Sequence, residues 1–129
     1  MIKLITGKKG TGKTKILIDE INEAVNASNG NIATVEKGST IRYSISRKVR
    51  WCDTEYYNVE SYETLYGFIA GLLASNYDIT HVYVDGIFKI CGRDYDEFGK
   101  ALTGRDVTVV FTVSADVEEL PESVTKYIK

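Results

Sequence analysis

The sequence predicts an α/β fold, a three-layer α/β/α sandwich around a mostly parallel sheet, and three observations carry that expectation. Apolar, strand-like runs alternate with segments of helical periodicity along the chain. A glycine-rich stretch, Gly7 to Thr14, separates the first such run from the first helical segment. A later β-branched and aromatic run closes on Asp85-Gly86. In folds of this kind ligands bind beyond the carboxyl ends of the strands, so the loop ends are expected to carry function.

Taken in order, Met1 to Thr6 is apolar enough for a buried strand, and Leu17, Ile21, Ala24, Val25 and Ser28 follow helical spacing. Asn29-Gly30 reads as a left-handed helix stop, and Asn31 to Glu36 as a second strand. From Lys37 to Arg50 every charge is positive (Lys37, Arg42, Arg47, Lys48, Arg50), while Ile41, Tyr43 and Ile45 alternate. That pattern predicts an antiparallel edge strand or hairpin with a basic side at about residues 40–58. Tyr56 to Val59 reads as a short strand, and Ser61 as the N-cap of a helix through Leu65, Phe68, Ile69, Leu72 and Leu73. Ile79 to Val84 forms the next strand, and Asp94 with Glu97 makes a capping pair for a helix through Leu102. Val107 to Val113 is the most apolar strand. An acidic helical turn, Val117 to Leu120, is interrupted by Pro121, and Val124 to Ile128 is read as a final short strand.

The 129 residues suit one domain, 1–129, with a single core. A net charge of −2 gives no global attraction to nucleic acid, which is therefore not favoured as a partner. The N-terminal stretch has no signal-type pattern and no apolar run approaches a membrane span, so a cytoplasmic protein is expected. Cys52, Cys91 and the single His81 do not form a zinc spacing. The cysteines read as reduced, partly buried thiols, and His81 as a strand residue without a ligand role.

Gly7-Lys8-Lys9-Gly10-Thr11-Gly12-Lys13-Thr14 reads G-x-x-x-x-G-K-T. A random chain of this length contains that pattern in about half a percent of cases, so a turn that binds nothing is a weak alternative. The glycines allow the backbone N–H groups from Gly7 through Lys15 to converge on phosphate oxygens. Lys13 would bridge the β- and γ-phosphates, Thr14 would offer its hydroxyl to Mg²⁺, and the helix dipole would add to the same field. ATP or another nucleoside triphosphate, with Mg²⁺, is the expected ligand. Asp85, at the end of His81-Val82-Tyr83-Val84-Asp85, supplies the carboxylate that would hold Mg²⁺ or its water. Its alternative role is to start a turn with Gly86.

These two motifs, with the order of elements over most of the chain, resemble the P-loop NTPase superfamily. They are similar to its RecA-like and thymidine-kinase-like branches, in which extra strands separate the two Walker motifs. The resemblance implies a P-loop NTPase fold, ATP and ADP as ligands, and Lys13 as a catalytic residue that stabilises transferred charge. Many hydrolases of this division carry Glu directly after the Walker B Asp; Gly86 stands there in this chain, which implies slow or partner-stimulated hydrolysis. RecA-like proteins carry a water-activating Glu at the end of the strand after the loop helix. Glu36 occupies a similar position and is the candidate general base, the alternative being a solvated Glu paired with Lys37 or Lys9. Ser114, with Thr112, is a candidate γ-phosphate sensor. Thr125-Lys126-Tyr127-Ile128 lacks the N-K-x-D element of guanine-specific GTPases, and neither the zinc lasso of thymidine kinases nor the added motifs of pilus-retraction ATPases is present.

The basic group Arg42, Arg47, Lys48 and Arg50 fits a lid over phosphates, a finger donated to a neighbouring subunit, a nucleic-acid contact with Tyr43 and Trp51, or a solvated face. Three functions remain open on these residues. The first is a Mg²⁺-dependent ATPase of low intrinsic rate, and the second a small-molecule or nucleoside kinase. The third is a nucleotide-dependent switch or assembly subunit, acting as a homo-oligomer or with a protein partner that supplies an arginine.

Overall fold

The computed structural model describes residues 2–94, 97 and 107–126. Within them lies a five-stranded, all-parallel sheet of β1 (Ile2–Thr6), β2 (Asn31–Glu36), β3 (Arg50–Asp53), β4 (Ile79–Asp85) and β5 (Thr108–Val113), ordered β1-β5-β4-β2-β3. The helices are α1 (Lys13–Ala27), α2 (Tyr62–Ser75), the single-turn α3 (Ile87–Cys91) and the short α4 (Glu122–Thr125). Because all the strands run the same way, their carboxyl ends share one edge of the sheet. β5 lies between β1 and β4, in register from Ile2↔Val109 to Thr6↔Val113 on one side and from His81↔Thr108 to Val84↔Phe111 on the other.

Side chains alternate between two cores, as the period of a strand requires. Leu4, Val82, Val84, Val109, Phe111 and Val113 pack with Leu65 and Ile69 of α2 and Ile87 and Ile90 of α3. On the opposite face Ile5, Ile32, Tyr83 and Val110 meet Leu17 and Ile21 of α1. Burying each of those two α1 side chains stabilises the fold by about 1.5–3 kcal/mol, and together they fix which face of α1 meets the sheet. Ser61 caps α2 as expected: its hydroxyl accepts from the Thr64 amide at 3.1 Å, and the Thr64 hydroxyl accepts from the Ser61 amide at 3.0 Å.

Several local expectations are corrected. Residues 40–58 form no antiparallel strand or hairpin: they contain a 3₁₀ turn at Arg42–Ser44 and then β3, which pairs parallel to β2. Ile41 and Ile45 alternate with Tyr43 because both isoleucines bury against α1 from a loop, while Tyr43 is exposed. Tyr56 to Val59 follows β3 as turns, with the Val59 amide bonded to the Thr54 carbonyl at 2.9 Å. Gly30 is not left-handed, since it is absent from the glycines of positive φ. It is required by close approach, because a Cβ there would lie 2.4 Å from Thr80 Cγ2 and 2.5 Å from the Asp78 carbonyl oxygen. Val124 is helical rather than extended. The Glu97 amide does donate to Asp94 at 3.1 Å, but the rest of the helix expected through Leu102, like Tyr127 and Ile128, lies outside the described residues. Cys52 and Cys91 are free thiols.

Candidate functional site

The glycine loop leaves β1 at Thr6 and turns into α1 at Lys13. Gly10 and Gly12 both hold left-handed backbones, with φ of 85° and 86°, a conformation that L side chains resist. At Gly7 a side chain would meet the Thr11 hydroxyl at 2.5 Å. Within the loop one carbonyl oxygen, that of Lys8, accepts from the Thr11 amide at 3.3 Å, the Thr11 hydroxyl at 2.7 Å and the Lys13 ammonium at 2.9 Å. Lys13 is folded inward and buried. Burial holds its pKa below the ordinary lysine range, with the Asp85 carboxylate opposing the shift.

α1 begins without a side-chain cap and without an acidic residue in its first turn. The first amides of a helix have no intrahelical acceptor, and the positive end of the dipole adds to them. At this end of α1 the protein therefore presents amides and an ammonium with no capping carboxylate.

A cavity of about 620 Å³ opens here, at the carboxyl ends of β1, β5 and β4. Lys9, Gly10, Gly12, Lys13 and Thr14 line one side, and Asp85, Thr112 and Ser114 the sheet side. Asp85 is oriented by Thr112, which donates to its Oδ1 at 2.7 Å and accepts from the Gly86 amide at 2.7 Å. Thr112 is buried, so this hydroxyl fixes the end of β4 against β5. Gly86 stands after Asp85 because the chain takes a left-handed turn there, φ 74°, to start α3.

The site residues read from the sequence fall into three groups. Lys9, Gly10, Gly12, Lys13, Thr14 and Asp85 are brought together around the cavity. Gly7, Lys8 and Thr11 shape the loop, with Lys8 also paired to Asp116 at 3.2 Å. Lys15 points to solvent and pairs with Asp19 at 3.3 Å, and Glu36 lies elsewhere. Glu36 is opposite Asp85 across the β2–β4 pair, yet its side chain is buried and does not line the cavity. Glu36 Oε2 accepts from the Trp51 indole at 2.7 Å and from the Ile41 amide at 3.1 Å. It is thus neither solvated nor paired with a lysine. Of the basic segment, Arg42 lies over the rings of Trp51 and Tyr43, at 4.5 and 5.5 Å. His81 sits at the opposite end of the strands beside a separate cavity of about 310 Å³, its Nδ1 2.8 Å from the Thr80 hydroxyl.

Three lining residues had no sequence signal: Phe88, Lys89 and Arg93. They follow Gly86 on and after α3, a helix too short to register as a periodic pattern. No protein-family model and no curated protein matches the chain.

Proposed function

We propose that the chain is a small P-loop NTPase that binds ATP with Mg²⁺ in this cavity and hydrolyses it slowly or only with a partner's help. The observation that carries the reading is the uncapped start of α1 beside the buried Lys13 ammonium, in a cavity that also holds Thr14 and Asp85. Such an arrangement favours an anion, and its size suits a nucleotide.

Mg²⁺ fits the donors present. Thr14 and Asp85 offer hard oxygens, and among the described residues no group of three or more acidic, histidine or cysteine side chains could cage a metal by itself. A Mg²⁺ ion here would take its remaining ligands from phosphate oxygens and water, as it does at nucleotide sites. When bound, it would neutralise charge developing on the transferred phosphoryl group. Lys13 would leave the Lys8 carbonyl for phosphate oxygens, and Thr112 would keep Asp85 turned to the ion.

In hydrolysis a water oxygen bonds to the γ-phosphorus, the bond to the β–γ bridging oxygen breaks, and ADP, phosphate and a proton leave. Glu36 is given no part in activating that water, because its carboxylate is engaged with Trp51 and Ile41 away from the cavity. With Gly86 after Asp85, the described residues that line the cavity include no second carboxylate for the task. That favours low intrinsic turnover, and with it a switch whose partner completes the site. Calorimetric titration with ATP, ADP, AMP and GTP, with and without Mg²⁺, tests the reading. Saturable binding of ATP and ADP, with AMP far weaker, is expected; failure of every nucleotide to bind would overturn it.

A further inference from the structure

We infer that Arg93 reads the terminal phosphate, exchanging its resting partner Glu119 for the γ-phosphate and so distinguishing triphosphate from diphosphate. This rests on the nucleotide reading above. Arg93 lines the same cavity as Lys13 and Asp85 and enters it from the segment just after α3. Among the described residues three contacts hold its guanidinium: the Phe88 ring beneath it at 5.0 Å, the Ser114 carbonyl at 2.9 Å and the Glu119 carboxylate at 3.3 Å.

The first two contacts set the plane and position of the group while leaving its charge unneutralised. The third is a partly exposed ion pair, the kind that contributes least to stability and exchanges most readily for another anion. A guanidinium also suits a phosphate better than an ammonium does, because its fork can donate two parallel hydrogen bonds. A diphosphate held by the glycine loop lacks the group that Arg93 would take.

The exchange has a route outward. Glu119 also accepts from the Asp116 amide at 3.2 Å, and Asp116 pairs with Lys8 of the loop at 3.2 Å. The adjoining Ala115 carbonyl accepts from the Gly7 amide at 3.1 Å. The turn at residues 114–119 therefore touches both the glycine loop and Arg93, and releasing Glu119 breaks one contact between the turn and Arg93 while leaving the one to the Ser114 carbonyl.

Calorimetric titration of ATP·Mg²⁺ and ADP·Mg²⁺ into wild type, Arg93→Ala, Arg93→Lys and Glu119→Gln tests this. Arg93→Ala should lose about tenfold or more in ATP affinity with ADP affinity unchanged, and Arg93→Lys should recover only part of the loss. Glu119→Gln, which removes the competing charge, should bind ATP several-fold more tightly with ADP unchanged. Equal losses for ATP and ADP in Arg93→Ala, or no change in either, would overturn the assignment. If Arg93→Ala does not fold, Glu119→Gln decides: an unchanged ATP affinity counts against Arg93. A wild type that binds neither nucleotide would instead defeat the underlying nucleotide site.

Discussion

Thr112 illustrates how one hydroxyl can set the geometry of a site without lining it with charge. It accepts the Gly86 amide and donates to Asp85, both at 2.7 Å, so it couples a backbone turn to a carboxylate. Thr112→Val keeps the shape and removes both bonds, leaving a part-buried amide unpaired. A loss of about 1–3 kcal/mol in urea denaturation is expected, with a larger Mg²⁺ requirement for ATP binding. Glu36 makes a different prediction. Burial raises its pKa above the ordinary 4.5, the Trp51 and Ile41 hydrogen bonds hold it down in part, and Asp85 adds to the rise. With the folded-state pKa above the unfolded one, its contribution to stability is full below pH 4.5 and is lost as pH rises through the raised value. Wild type should therefore lose stability relative to Glu36→Gln as pH climbs above 4.5 in urea titrations; parallel profiles would show that Glu36 does not titrate there. The position of Glu36 at a strand end is legible in the sequence. Its partners are not, because Ile41 lies in the segment between β2 and β3 and Trp51 on β3, and both are placed by tertiary packing.

Elements that bury one face and carry a local signal are legible in the sequence. The α1 stripe of Leu17 and Ile21, the Ser61 cap of α2 and the apolar β5 run each state their own structure. Elements defined by tertiary contact are not. Period-two alternation at Ile41, Tyr43 and Ile45 suggests a strand, but alternate burial against α1 produces the same pattern from a loop. The five residues of α3 are too few to show helical periodicity, so nothing in the sequence marks Lys89 within it or Arg93 just after it as lining the cavity. Gly30 looked like a helix stop because Asn-Gly favours left-handed turns, whereas the closeness of β4 is what requires it. Gly30→Ala should destabilise by about 1–3 kcal/mol through its clash with the Asp78 carbonyl oxygen and Thr80, which thermal denaturation would detect.

At the scale of the molecule, parallel strands are what place the functional groups together. They set the glycine loop, Asp85 and Ser114 at one edge of the sheet although these are far apart in sequence. β5, inserted between β1 and β4, spaces the loop from Asp85 and supplies Thr112 to orient it. The same edge admits Arg93, so the cavity is assembled from both halves of the chain and should report on folding as a unit. A ligand that binds only the folded state stabilises it by about 2.7 kcal/mol at one hundred times its Kd, and ATP·Mg²⁺ should therefore raise the Tm. The proposed function requires Lys13 and Asp85 to hold a triphosphate and its Mg²⁺ in one site. Calorimetric titration of ATP into wild type, Lys13→Ala and Asp85→Ala, with and without Mg²⁺, measures it most directly. One-to-one binding in wild type, its loss in Lys13→Ala and loss of Mg²⁺ dependence in Asp85→Ala are predicted; undiminished, Mg²⁺-dependent binding in both variants would contradict it.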